Sequence, residues 1–238
     1  MINEAIILAG GLGTRLKGVI NDIPKPMAPV DGKPFLEYVL RYLNRFPIDK
    51  VILAVGYKHE VIESVFGDEF LGMSIEYAIE KEPLGTGGAI ANALKLAIGD
   101  DVFLLNGDTF FDVNLEALYT HHQLSGSQLT LSLKPMKNFD RYGTVELKGT
   151  QIVAFNEKKP VKQGLINGGV YVLNKGMFSN PLFPTKFSFE KDIMEQGVMQ
   201  FDMQAYFSDD YFIDIGIPED YERAQRELPN QLRLGNKF

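Results

Sequence analysis

Two basic residues frame the most informative stretch of this chain. Arg15 closes the run Leu8-Ala9-Gly10-Gly11-Leu12-Gly13-Thr14-Arg15-Leu16, and Lys25 follows within Pro24-Lys25-Pro26. Gly10, Gly11 and Gly13 let the backbone turn sharply and approach a ligand with no Cβ in the way. Exposed N–H groups in such a turn form a concavity for an anion. Arg15 adds a planar two-pronged donor for phosphate, and Lys25 a mobile point charge. The combination reads as a nucleoside triphosphate site. Two other glycine loops are excluded. A Walker loop needs Gly-x-x-x-x-Gly-Lys-Ser/Thr, and a dinucleotide fingerprint needs Gly or Ala where Leu16 stands. The plain alternative is a glycine turn entering a helix.

Carboxylates supply the next chemistry. Asp108 ends Asn106-Gly107-Asp108 after the apolar run Val102–Leu105. A carboxylate there can face the same crevice as the phosphate loop and hold Mg²⁺, a hard cation that favours carboxylate and phosphate oxygens. Asp214 repeats the pattern, after Tyr211-Phe212-Ile213 and before Ile215-Gly216. Its plain alternative is the N-cap of a helix near Pro218, and that of Asp108 is a turn aspartate. Glu80-Lys81-Glu82-Pro83-Leu84-Gly85-Thr86-Gly87-Gly88 is a second glycine-rich loop entering a helix. Its glycines permit close approach to a flat base, its helix start offers N–H groups, and a glutamate can accept from a guanine edge. Glu157-Lys158-Lys159-Pro160 and Asn167-Gly168-Gly169 offer a carboxylate for sugar hydroxyls, lysines for a phosphate and an amide on flexible backbone. Adjacent His121 and His122 lack the i,i+4 spacing of a helical metal pair and are expected to face solvent.

These residues need a scaffold that brings them together. Ala5–Leu8, Val51–Val55, Ser74–Ile79 and Val102–Leu105 read as strands. Helical patterns alternate with them over Pro34–Phe46, His59–Phe66, Gly87–Ile98 and Leu115–Leu124. That order predicts a parallel sheet wrapped by helices, with ligands at the carboxyl ends of its strands. The second half is richer in strands, over Gln128–Leu133, Gly143–Leu147, Ile152–Asn156, Val170–Leu173 and Phe212–Ile215. Helices are expected at Phe189–Gln196 and Pro218–Glu227. This half reads as an added β-rich lobe rather than an independent domain, and Pro229–Phe238 as a polar tail that frays or docks on a partner chain. The chain has 238 residues, and 24 Lys and Arg against 31 Asp and Glu give a net charge of −7. That balance argues against a broad nucleic-acid surface. With no cysteine, disulfides and thiolate-bound metals are excluded. No apolar run approaches the ~18 residues of a membrane helix, and no leader precedes the first strand. A cytoplasmic enzyme with neither nucleic-acid nor membrane partner is the expectation.

Taken in order, these motifs resemble the signature of the sugar-1-phosphate nucleotidyltransferases. The glycine loop with Pro24-Lys25-Pro26-Met27 is joined by Glu82-Pro83-Leu84-Gly85-Thr86-Gly87-Gly88, Asn106-Gly107-Asp108, Tyr142-Gly143, Glu157-Lys158, Asn167-Gly168-Gly169 and Asp214-Ile215-Gly216. The resemblance spans Ile6 to Arg226. It implies an α/β fold, the nucleotide-diphospho-sugar transferase fold: a Rossmann-like mixed, mainly parallel sheet flanked by helices, with a smaller β-rich sugar-binding lobe. Residues 1–228 would form one nucleotidyltransferase domain, 1–125 mainly for the nucleotide and 126–228 mainly for the sugar, with 229–238 as tail. Leu8, Gly10, Gly11, Gly13, Thr14 and Arg15 would hold the nucleotide, with Glu82 and Gly87 where the base is read. Arg15, Lys25 and Asp108 would be catalytic, and Asp108 and Asp214 would hold Mg²⁺. Gly143, Glu157 and Asn167 would contact the sugar, and Lys158 its phosphate. Two positions depart from the common pattern: Lys159 is inserted into Glu-Lys-Pro, and Gly168 replaces the alanine of Asn-Ala-Gly. Within the family, Asp22–Pro29 and Leu165–Tyr171 are most similar to enzymes that guanylylate D-glycero-α-D-manno-heptose 1-phosphate. The implied partners are GTP and that sugar phosphate, for surface glycan synthesis such as lipopolysaccharide, in a chain compatible with a homo-oligomer. Mannose 1-phosphate with GTP and a hexose 1-phosphate with UTP are the enzyme alternatives. A non-catalytic nucleotide-sugar sensor is the alternative of another class.

Overall fold

The computed structural model describes residues 2–11, 23–179 and 183–235. Strand β1 (Glu4–Leu8) is followed by a 3-10 turn at Lys25–Met27 and a ribbon of β2 (Pro29–Val30) and β3 (Lys33–Pro34). Then come α1 (Phe35–Leu43), β4 (Lys50–Val55), α2 (His59–Phe66), β5 (Glu69–Phe70), β6 (Met73–Ile79) and α3 (Gly85–Ala93). The first half ends with β7 (Asp101–Asn106), β8 (Thr109–Phe111) and α4 (Leu115–Ser125). The second half holds β9 (Leu129–Phe139), β10 (Val145–Lys148), β11 (Gln151–Phe155) and β12 (Val161–Asn174). A π-helical segment Phe189–Glu195 leads to β13 (Met203–Phe207), β14 (Phe212–Asp214) and α5 (Pro218–Gly235).

Ten strands make one mixed sheet in the order β10-β11-β13-β9-β12-β7-β1-β4-β6-β5. β7, β1, β4 and β6 are parallel. β12 runs antiparallel to both β7 and β9 and joins the β-rich part to the parallel part. The mainly parallel, helix-flanked sheet expected from the sequence is therefore observed, with the added strands continuing the same sheet. β1 is buried on both faces, which explains its unbroken apolar run. Ile7 packs in one cluster with Leu53, Leu105 and Leu40 of α1, and Ile6 in the other with Ile52, Leu104 and Ile90 of α3. The chain first fills the β4–β6 side of β1 and only then crosses to β7 on the other. Such a reversal leaves a crevice outside the carboxyl ends of the strands.

Several local expectations change. β12, expected only at Val170–Leu173, extends back to Val161 and carries an irregularity at Asn167–Tyr171 where its pairing with β9 shifts. The tail expected from Pro229 lies inside α5 as far as Gly235. His122 does not face solvent. It is buried on α4, its Nδ1 2.8 Å from Thr130 Oγ1 and 3.2 Å from Ser127 Oγ. Among the described residues no helix is long and apolar enough to cross a membrane.

Candidate active site

The carboxyl ends of β1 and β7 set the floor of the site. Leu8 pairs with Asn106, and the N–H of Gly107 donates to the Leu8 carbonyl at 3.0 Å. A Cβ on Gly107 would lie 2.4 Å from that same oxygen, so only glycine lets the two chain segments meet here. Beyond them opens a cleft of about 770 Å³. Leu8, Gly10, Gly11, Lys25, Glu82 and Asp108, all singled out from sequence, line it. Gly13, Thr14 and Arg15 lie outside the described residues.

Asp108 and Asp214 meet although far apart in the chain. The short strands β8 and β14 pair antiparallel with Thr109 opposite Asp214, and the Ile215 N–H donates to the Asp108 carbonyl at 3.1 Å. Lys25 stands between the two side chains, its Nζ 2.5 Å from Asp108 Oδ2 and 3.7 Å from Asp214 Oδ1. Asp214 Oδ1 accepts the Gly216 N–H at 2.7 Å, so its local role is a tight turn before α5 and not the N-cap of that helix. Burial pushes the Asp214 carboxyl above the usual carboxylate range. The negative charge of Asp108 adds to the rise, and Lys25 partly offsets it.

The second glycine loop forms another wall. Glu82 is exposed on it, while half-buried Glu80 accepts the Leu84 N–H at 2.9 Å and shapes the turn into α3. Gly87 takes a different place from the one expected. Its N–H donates to the Phe187 carbonyl at 3.0 Å, and a Cβ there would lie 2.3 Å from the Phe187 ring. The Gly88 N–H points to the same carbonyl at 3.4 Å. The Gly87 and Gly88 N–H groups are therefore directed at the chain itself, and Gly87 is not part of the cleft lining, whereas Gly85 and Thr86 are.

On the sugar side expected from sequence, the residues fall into two groups. Asn167 Nδ2 donates to the Tyr171 hydroxyl at 2.8 Å, while its Oδ1 accepts the Gly169 N–H at 3.0 Å. Gly143 sits against the turn after β11, where a Cβ would be 2.3 Å from the Asn156 carbonyl. Glu157 and Lys158 follow on that turn, exposed and outside the cleft lining, with no hydrogen bond or ion pair among the described residues. Neighbouring Tyr142 packs edge-on to Phe212, ring centroids 6.0 Å apart. Its hydroxyl is pushed up first by burial and then by the charge of Asp214, which ties this loop to the carboxylate pair. Of the other cleft carboxylates, Glu80 was read from sequence only as part of the second glycine loop, and Glu190 was not singled out. Glu80 directly follows β6, the same strand-then-acid pattern that marked Asp108. Glu190 lies in the π-helical segment and carries no comparable signal.

The chain resembles known proteins in sequence and in fold. The family described as nucleotidyl transferase matches residues 4–231. A D-glycero-alpha-D-manno-heptose 1-phosphate guanylyltransferase of Aneurinibacillus thermoaerophilus is 52% identical over 229 residues, 96% of this chain and 100% of that protein. A protein of the same name from Campylobacter jejuni is 54% identical over 219 residues, 92% of this chain and 96% of its own. In three dimensions the chain matches HddC from Yersinia pseudotuberculosis complexed with GMP-PN. The TM-score is 0.85 at 37% identity, over 95% of this chain and 99% of that one.

Proposed function

This chain belongs to the nucleotidyl transferase family, and from that premise we propose that it joins GTP to D-glycero-α-D-manno-heptose 1-phosphate. The products are the GDP-sugar and pyrophosphate. One observation carries the reaction class: Lys25 stands between Asp108 and Asp214 at a cleft where the glycine turn and two strand ends converge. The choice of substrates follows the two relatives, which match this chain over nearly its whole length.

A phosphate oxygen of the sugar phosphate attacks the α-phosphorus of GTP. A new P–O bond forms, the bond to the bridging oxygen breaks, and pyrophosphate leaves with that electron pair. No general base is needed, because a phosphomonoester with a second pKa of roughly 6 is already largely ionised near neutrality. Positioning and charge stabilisation are left as the protein's work. The Gly10–Gly13 turn, with Leu8 and Thr14, cradles the triphosphate, and Arg15 and Lys25 stabilise charge on the transferring and leaving groups. Glu82 accepts from the base, while Gly87 serves by letting α3 close on Phe187. Gly143, Glu157 and Asn167 hold the sugar and Lys158 its phosphate.

Asp108 and Asp214 fit a divalent cation, since two partly buried carboxylates share a single lysine. Among the described residues no group of three or more metal-binding side chains exists, so the ion would draw its remaining oxygens from phosphate and water, as Mg²⁺ prefers. When bound, Mg²⁺ neutralises charge on the nucleotide phosphates. We assign residues 1–228 to one catalytic domain, the reaction to the cytoplasm and the product to surface glycan synthesis. The test is pyrophosphate release with each of four nucleoside triphosphates against heptose, mannose and glucose 1-phosphates. Release is expected to be fastest with GTP and the heptose phosphate, and none with that pair would overturn the assignment.

A further inference from the structure

We propose that Glu190 binds ring hydroxyls of the sugar phosphate and so helps set which sugar is accepted, an inference that rests on the guanylyltransferase reading above. Glu190 lines the cleft. Its Oε2 accepts from Thr86 Oγ1 at 2.5 Å and from Ser188 Oγ at 2.9 Å. Among the described residues its Oε1 takes no hydrogen bond. Each of those hydroxyls is itself occupied as an acceptor, Thr86 by the Phe189 N–H at 2.9 Å and Ser188 by the Lys191 N–H at 3.2 Å. Their protons are thereby committed to Oε2, and the carboxylate keeps one acceptor oxygen for a ligand.

The backbone under Glu190 is held firmly. Asp192 Oδ2 accepts the Ser188 N–H at 2.7 Å, and buried Phe189 packs edge-on to Tyr171 with centroids 5.5 Å apart. The Tyr171 hydroxyl links this wall to the rest of the site. It takes the Asn167 hydrogen bond, and after burial the charge of Glu190 is the largest influence raising its pKa, with Asp108 also contributing. Asn167 bonds this phenol, and the charges of Glu190 and Asp108, both lining the same cleft, act on it. An anionic acceptor in this position repels phosphate and selects a neutral donor. Sugar hydroxyls are the donors that reach from Asn167 toward the phosphates. On the reading above the base is served by Glu82, on the loop before α3, which also lines the cleft.

Steady-state kinetics of Glu190→Gln, with each substrate varied in turn, test this. Glutamine keeps an oxygen for Thr86 and Ser188 but presents an N–H₂ donor to the cleft. The KM for heptose 1-phosphate is expected to rise about ten- to a hundredfold, the value of a hydrogen bond to a charged group, with the KM for GTP and the Tm nearly unchanged. Sugar phosphates deoxygenated at one ring position at a time give the matching arm. One of them should lose about tenfold with the wild type and little with Glu190→Gln. A rise in the KM for GTP instead would turn the carboxylate toward the base, and no change in either KM would leave it a pin for Thr86. Either outcome overturns the proposal. If the glutamine variant fails to fold, Glu190→Asp replaces it. Aspartate keeps the charge but withdraws it by one methylene, and the same rise in the sugar-phosphate KM is expected. A wild type inactive with every sugar phosphate would overturn the guanylyltransferase reading and this inference together. An active wild type with unaffected variants would overturn this inference alone.

Discussion

At the scale of single residues, one described lysine is set against two carboxylates. Lys25 lies 2.5 Å from Asp108 and 3.7 Å from Asp214, and burial weakens the solvation of Asp214. Neutralising either acid removes a repulsion while deleting a cation ligand, a common conflict between stability and activity. Asp108→Asn and Asp214→Asn are therefore expected to lose about 10²–10³-fold in kcat, comparable to removing one strong electrostatic contact at a reacting centre. In chelator-treated protein their Tm should equal or exceed that of the wild type. Pyrophosphate release and thermal unfolding measure both halves, and retained turnover would remove these carboxylates from the metal role. His122 makes a second residue-scale prediction. Burial holds its imidazole below the ordinary histidine pKa, and the Asp101 carboxylate only partly opposes the drop. The unfolded chain then binds the proton first, so stability should fall as the pH drops from about 6.5 toward the lower folded value, and level off beneath it. His122→Gln is expected to lack that acid-side decline. It should also lose about 1–2 kcal/mol at pH 7.5 through its broken contacts with Thr130 and Ser127, and urea unfolding across the pH range checks both.

At the scale of elements, function depends on how closely strand ends approach one another. Gly107→Ala would press a methyl group into the Leu8 carbonyl and the Ala9 Cα, both backbone and unable to rotate away. A loss of about 1–3 kcal/mol in urea unfolding is expected from such overpacking, with kcat reduced because Asp108 is the next residue. Unchanged stability would mean the β1–β7 junction yields more easily than its spacing indicates. The parallel strands were legible in the sequence because β1, β4 and β7 are apolar runs buried on both faces, and Asp108 was legible because it follows one. That Asp108 and Asp214 share one site was expected from the sequence, but the pairing that brings them together was not, because β8 has only three residues, too few to show alternation. The extent of β12 was hidden for a related reason. Lys162, Gln163 and Gly164 carry no apolar pattern, yet β9 pairs with this stretch. The burial of His122 could have been read. Leu115, Leu118 and His122 occupy i, i+3 and i+7 of α4, a single helical stripe, and two leucines on it mark the histidine as inward-facing.

At the scale of the whole molecule, α5 binds the ribbon of the first half to a loop of the second half. It begins four residues after Asp214, and from its first turns it reaches both ways. Toward Lys25, the Tyr221 hydroxyl and Gln225 Nε2 donate to the Pro29 carbonyl, and Gln225 Oε1 accepts the Asp31 N–H at 2.9 Å. Toward the loop before Gly143, Asp220 pairs with Arg141 and also takes Arg223 at 3.2 Å. Arg141 in turn lies over the Tyr142 ring, 5.3 Å from its centroid. One helix thus braces the segment after Lys25 and the loop before Gly143, and its two sets of contacts are separable. Tyr221→Phe combined with Gln225→Ala releases only the Lys25 side, through neutral hydrogen bonds. The expected cost is about two- to tenfold in kcat/KM for GTP, with little change in the KM for the sugar phosphate. Asp220→Asn releases only the Arg141 side, through charged pairs, and is expected to raise the KM for the sugar phosphate by about tenfold while sparing that for GTP. Because the two contact sets share no partner, the triple variant should show the sum of both effects on a free-energy scale. Steady-state kinetics with each substrate varied decide the matter. If either variant changed both substrates equally, α5 would be a general support of the fold, and the coordination of the two halves would have to reside in β12, the long strand shared by both parts of the sheet.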